Sequence, residues 1–172
     1  LLAGRHGRCC RFDENDARAL GRTASGVRGI NIDEDDEVIG MIAYDPTAED
    51  AQAHSLLVVS EHGYGKRSDF DEYRKTNRGG KGVKTLNITE KTGELVAMKN
   101  VTDENDLMII NRSGITIRMA VADIKVAGRA TQGVKLINIK DGDSIAAISA
   151  VNKSEEETSD QQAEPAQEQT NE

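Results

Sequence analysis

The segment Gly26-Val27-Arg28-Gly29-Ile30-Asn31-Ile32 returns as Gly82-Val83-Lys84-Thr85-Leu86-Asn87-Ile88 and again as Gly133-Val134-Lys135-Leu136-Ile137-Asn138-Ile139. Arg22, Arg78 and Arg129 each stand four residues before the first glycine of this pattern. Gly7, Gly63 and Gly114 lie nineteen residues before it, and Arg11, Arg67 and Arg118 follow those glycines by four, without a gap. Recurrence at a period of about 50 residues marks one supersecondary unit per copy, each burying its apolar face against its neighbours.

Within a unit, where "VKTLNI" alternates as a strand does, four short strands are expected between tight turns. In the middle copy these are "LLVVS" (56–60), "YGKRSD" (64–69), "GVKTLNI" (82–88) and "LVAMKN" (95–100), separated by Glu-His-Gly and Lys-Thr-Gly turns. The third copy reads "LMIIN", "ITIRMA", "GVKLINI" and "SIAAISAV"; the first runs from "LLAG" to "EVIGMIAY". No apolar period of 3.6 residues is sustained, which disfavours helical repeats. The prediction is an all-β fold, a β-pinwheel or propeller-like array of about three four-stranded antiparallel blades, at 1–45, 46–100 and 101–153. Closed rings take about four to eight blades, so the array is expected to be incomplete at its N-terminal side, with more blades before Leu1. Residues 154–172 hold seven acids, no base and no large apolar side chain, and are expected to be disordered.

No apolar run approaches the ~18 residues of a spanning helix and no leader pattern opens the chain, so a cytoplasmic protein without a membrane partner is expected. Cys9 and Cys10 are the chain's two cysteines. Adjacent thiols rarely bridge, and with His6 they fall one ligand short of a tetrahedral site, so reduced structural thiols are expected.

A net charge of −8 would by itself argue against a nucleic-acid partner. The distribution reverses that. Eighteen of the 22 lysines and arginines fall in the windows 5–28, 66–84 and 112–135, alongside seven acids; the remainder of the chain has four cations and 23 acids. Blades are related by rotation, so a cation at one repeat position becomes a row along a rim. Such a row suits a bent phosphate backbone, because each phosphate neutralised releases counterions. The glycines of Arg78-Gly79-Gly80-Lys81-Gly82 let backbone approach a phosphate while Arg78 and Lys81 supply charge. Tight turns are the other explanation for each glycine. Nothing here is built to read base edges, so double-stranded DNA would be bound with little sequence preference. The candidate DNA-binding residues are Arg11, Arg22, Arg28, Lys66, Arg67, Arg74, Arg78, Gly79, Gly80, Lys81, Gly82, Lys84, Arg118, Arg129 and Lys135.

The stretches "GRTASGVRGI", "GYGKRSDFDEYRKTNRGGKGV" and "GRATQGVKLI", with the acidic tail, resemble the C-terminal DNA-wrapping domain of bacterial DNA gyrase A over Leu1 to Val151. The resemblance implies a β-pinwheel of which this chain is the last half, and a role in bending or wrapping DNA. It implies a parent type II topoisomerase that hydrolyses ATP, uses Mg2+ through other domains and subunits, and assembles with gyrase B. This segment itself would be non-catalytic and hold no cofactor or metal. The family's box, Gln-Arg-Arg-Gly-Gly-Lys-Gly, is matched at its last five positions by Arg78 to Gly82, with Thr76 and Asn77 in place of Gln and Arg. "GRHGRCCRF" departs from the family's apolar residue before the arginine, which predicts looser packing at Cys9 and Cys10. The tail is expected to compete with DNA for the rim.

Other motifs fall away. Val83 stands where a P-loop needs glycine, and a strand follows rather than a helix. Tyr73 has no accompanying carboxylate cluster for magnesium, and the family's catalytic tyrosine lies in another domain, so a packing or rim role is expected. "DEDDE" (33–37) and "DENDL" (103–107) lack the ligand spacing of a calcium loop and read as solvated turns. His6 and His62 share a turn position with Ser113. Two further readings stay open: the corresponding domain of topoisomerase IV, and a propeller-like protein-interaction scaffold.

Overall fold

The computed structural model describes residues 1–153; segment 154–172, expected to be disordered, lies outside the described residues. Among the described residues eleven strands form three antiparallel sheets. The first is ordered β3-β1-β2-β6, from Val38–Met41, Leu2–Gly4, Arg8–Cys10 and Val83–Lys84. The second is β10-β5-β4-β7, from Val134–Lys135, Tyr64–Ser68, Ser55–Ser60 and Leu95–Val101. The third is β11-β8-β9, from Ile145–Asn152, Asn105–Asn111 and Thr116–Ala120. A short 3-10 turn follows the second strand of each copy, at Glu14–Asp16, Phe70–Glu72 and Val121–Asp123. No helix among the described residues is long and apolar enough to cross a membrane.

The sheets stack face to face, and β4 shows why. All six of its residues are buried. Leu56 and Val58 face a core shared with Ala3, Cys9, Phe70, Tyr73 and Leu86 of the first interface. Leu57 and Val59 face the opposite core, with Leu107, Ile109, Val121, Ile124 and Ile137. Alternation along one strand thus serves two interfaces, each buried aliphatic side chain contributing about 1.5–3 kcal/mol.

Strand membership differs from the sequence units. The Gly-Val-cation strand does not stay with its own copy but pairs with the preceding one: Cys9 opposes Val83 and Arg8 opposes Lys84, and Gly65 opposes Val134 and Tyr64 opposes Lys135. Each of these strands is two residues long, since the chain then turns inward to seat Leu86 or Ile137 between sheets. The first copy of the motif, Gly26 to Ile32, forms no strand, and residues 21–28 are exposed. Alternation reveals a strand but carries no information about which hairpin receives it.

Packing at the cysteines is tighter than expected. Cys9 and Cys10 are free thiols with 1% and 0% exposure, and Cys9 belongs to the first core. Burial pushes the Cys9 thiol up to about 12.

Candidate nucleic-acid interface

The recurring arginines divide into two classes. Of those that stand four residues before the motif, Arg78 and Arg129 reach back to the preceding copy. Arg78 donates from Nη1 to the Arg28 carbonyl (2.5 Å) and from Nε to that of Asp16 (2.8 Å). Arg129 donates from Nη1 to the Lys84 carbonyl (3.0 Å). Each pairing brings two cations of successive copies to one place, Arg78 beside Arg28 and Arg129 beside Lys84. Arg22, Arg28, Lys84 and Lys135 are exposed or nearly so, and Arg78 and Arg129 half-buried. Lys135 also sits over the Tyr64 ring at 5.7 Å, while Lys84 donates to Asn87 Oδ1 (3.2 Å).

The second class follows the hairpin glycine by four. Arg11 donates to the Phe70 and Tyr73 carbonyls (2.9 and 3.0 Å) and stands over the Tyr44 ring. Arg67 is buried, donates to the Ile124 carbonyl (2.9 Å) and pairs with Asp103 (2.6 Å). Arg118 pairs with Asp106 (2.7 Å). A 3-10 turn ends on carbonyls without intrahelical partners, and a buried carbonyl requires a donor. That requirement accounts for Arg11 and Arg67, which join blades rather than face outward. Lys66 behaves likewise. It is 1% exposed, and Nζ donates to the carbonyls of Gly128 (2.6 Å) and Arg129 and to Thr131 Oγ1 (3.3 Å). Burial lowers its pKa to about 8, with nearby Glu72 opposing and Arg129 adding to the shift.

The glycine loop is more structural than the sequence implies. Gly79 and Gly82 have φ of +79° and +71°. A Cβ on Gly82 would overlap the Cys9 carbonyl, so seating against β2 requires glycine there. The Gly79 amide donates to Gly29 O (2.8 Å) and the Gly80 carbonyl accepts from Asn31 N (2.9 Å). The amide of Gly79 is therefore committed inside the fold. What remains open is a shallow cleft of about 420 Å³ lined by Arg8, Arg74, Thr76, Asn77, Gly80, Lys81 and Gly82, without a carboxylate. Arg74 and Lys81 are exposed, and Arg8 lies across the loop, donating to the carbonyls of Lys81 (3.1 Å) and Gly82 (2.8 Å). Arg8 was not among the predicted site residues. Tyr64 and Ile115 take its position in the other copies, so a search for recurring cations passes over it.

Tyr73 is fully buried with its hydroxyl 2.6 Å from Thr85 Oγ1, and burial pushes its phenol up to about 12; it is a packing residue. Asp36 of the acidic stretch accepts from the amides of His6 and Glu37 (3.1 and 2.8 Å) and its side chain is nearly buried, unlike a solvated turn. Among the described residues no group of three or more His, Cys, Asp or Glu side chains is arranged to hold a metal.

The family described as DNA gyrase C-terminal domain, beta-propeller, matches residues 1–45, 54–102 and 105–152. The DNA gyrase A protein of Staphylococcus epidermidis is 45% identical over 156 residues, covering 91% of this chain and 17% of that protein. The DNA gyrase A protein of Staphylococcus aureus strain MRSA252 is 44% identical over 164 residues, covering 95% of this chain and 18% of that protein. The chain therefore spans less than a fifth of the length of these relatives. A solved DNA gyrase A C-terminal domain aligns with a TM-score of 0.72 at 22% identity, over 87% of this chain and 49% of that one. The C-terminal domain of DNA topoisomerase IV aligns at 0.76 with 19% identity, over 88% and 46%. These two structures share the fold.

Proposed function

Because the chain belongs to the DNA gyrase C-terminal, beta-propeller family, we propose that it is a DNA-binding and DNA-bending module of DNA gyrase A, holding duplex DNA by its phosphates along the basic blade rim. The observation that carries this is the carboxylate-free cleft of Arg8, Arg74 and Lys81, continued by the stepped cations Arg28 with Arg78, Lys84 with Arg129, and Lys135. Lys66, Arg11 and Arg67 serve the reading indirectly, by fixing the loops that carry the rim. Smooth bending of a 20–30 base-pair stretch costs on the order of 1–6 kcal/mol, so several steps must engage at once. The repeat supplies one step per blade, with units ending near 45, 100 and 153.

In the parent enzyme this module would present DNA to a type II topoisomerase that hydrolyses ATP through other domains, with gyrase B as partner. The topoisomerase IV reading is less favoured, because the relatives at 44–45% identity are named as gyrase A proteins.

The test is ligation of a nicked circle with the chain bound. A linking-number shift that grows with protein supports wrapping; closure at the linking number of free DNA removes it.

A further inference from the structure

A buried amine lies beneath the second rim step. Lys66 Nζ donates to the carbonyls of Gly128 (2.6 Å) and Arg129 and to Thr131 Oγ1 (3.3 Å), so it underlies the loop that carries Arg129 to the Lys84 carbonyl. Only this step has an amine there: Cys10 and Ile117 stand at the same position in the other copies. An ammonium brings three hydrogens and no acceptor, and here each hydrogen meets an oxygen. Thr131 Oγ1 spends its own hydrogen on the Gly128 carbonyl (2.9 Å). The neutral amine has two hydrogens and a lone pair. It can serve both carbonyls, but its lone pair is met only if the Thr131 hydroxyl turns away from Gly128. The loop therefore holds a different hydrogen-bond arrangement for each protonation state of Lys66.

Two charged groups face this amine. Val58 of β4 stands opposite Lys66 in the sheet, and a Cβ on Gly133 of the docked loop would lie 3.4 Å from the Lys66 Cβ, so neither neighbour brings a charge. The charges are Glu72, from the 3-10 turn of the same copy, and Arg129, whose amide donates to the Glu72 carboxylate (3.4 Å). Burial lowers the Lys66 pKa to about 8; Glu72 works against that shift and Arg129 adds to it. Arg129 thus opposes the proton on Lys66, and opposes it less once an anion meets its own charge. Coupling between two bound species is reciprocal, so the proton strengthens the anion's hold by the same factor.

Resting on the reading of this rim as a DNA-phosphate site, we propose that the phosphate at the step of Lys84 with Arg129 and a proton on Lys66 Nζ are bound together, each favouring the other. DNA engaging this step then takes a proton from solvent, and loss of that proton loosens the hold. The step of Arg28 with Arg78 has the Cys10 thiol in place of the amine and lacks the coupling. The rim's grip is therefore graded by pH at one blade junction and not at the other. A phosphate that raises the Lys66 pKa by about one unit makes binding about tenfold weaker on the alkaline side of the titration than on the acid side.

The test follows the Lys66 side-chain nitrogen by NMR through a pH titration of the 172-residue chain, without and with a duplex of mixed sequence. The expected midpoint is about 8 in the free chain and higher with DNA bound. Glu72→Gln should move both midpoints down, because the Glu72 charge helps to keep the proton on Lys66. DNA affinity of the wild-type chain should fall about tenfold across the same window, and that of Lys66→Met should not. The Leu1 amine, whose pKa burial lowers from the usual 8.0, is the same in both chains and cancels. Binding heats in buffers of different ionisation heat should show proton uptake for wild type and none for Lys66→Met. The NMR titrations of wild type and Glu72→Gln stand whether or not Lys66→Met folds. A Lys66 midpoint that DNA binding leaves in place, or a Lys66→Met chain with the wild-type pH dependence, would overturn the proposal and leave the DNA reading intact. A chain that binds the duplex at no pH would remove that reading and the proposal with it.

Discussion

The loops 77–82 and 128–133 take equivalent seats, the first on β2 and the second on β5, yet different chemistry holds them. An arginine donation, Arg11 to Tyr73 O and Arg67 to Ile124 O, is common to both, but the second is also anchored from below by buried Lys66, with Ser68 Oγ donating to Ala127 O (2.7 Å). The first has Cys10 at the Lys66 position, 3.6 Å from Thr76 Oγ1, and is tied instead by Arg8 from the solvent side. One seat spends its cation inside the protein. The other leaves its cations on the surface, around the cleft proposed to hold a phosphate. A cation in a basic repeat is therefore not evidence of a ligand until the carbonyls nearby have been counted.

The largest effect should come from removing the buried anchor. Lys66→Met strips a donor from two carbonyls and a hydroxyl and should lower unfolding free energy by about 2–3 kcal/mol, read as a shift in the denaturation midpoint. Cys10→Ala in the other seat should cost about 1 kcal/mol, the loss of one buried atom and its contacts. Equal costs would erase the distinction between the seats.

A pH titration sharpens it. Lys66 has a folded pKa lowered to about 8, whereas an unfolded lysine titrates near 10.5. Between these values the unfolded chain keeps a proton that the folded chain has released, so this residue's contribution makes stability rise with pH across that window. Comparison with Lys66→Met isolates it. A difference curve that is flat from about pH 8 to 10.5 would contradict the buried assignment.

The exposed side should respond to DNA alone. Lys81→Ala and Arg74→Ala should leave the thermal midpoint nearly unchanged, each within about ±0.5 kcal/mol, while weakening DNA binding uniformly across sequences. A thermal scan beside a binding titration on two unrelated duplexes separates these variants from the anchor variants.

Much of the fold was legible because the repeat fixes both the unit and its strands. The unbroken apolar run in "SLLVVS" reads as a strand, and the structure shows why it does not alternate: both of its faces feed a core. The exchange of the Gly-Val-cation strand was not legible, since Val83 and Val134 look alike whichever hairpin receives them. The site was only partly legible. Arg78 and Arg129 recur and each donates to a carbonyl of the preceding copy, whereas Lys81, with Ser25 and Gln132 at its position in the other copies, was read from the glycine-rich loop instead. Lys66, Arg11 and Arg67 share the same recurrence or neighbourhood, but carbonyls from the next copy absorb them, and those partners lie 57 to 63 residues away in the chain. Arg8 was invisible for the opposite reason: it contributes to the cleft without recurring.

The most direct test is DNA affinity measured against salt for wild type, for Arg74→Ala combined with Lys81→Ala, and for Arg11→Met. Each phosphate contact contributes a slope of roughly −0.9, so the double variant should lose close to two such contacts and Arg11→Met none. A double variant that keeps the wild-type slope, or an Arg11→Met chain that loses as much, would contradict the placement of the binding cations on the rim.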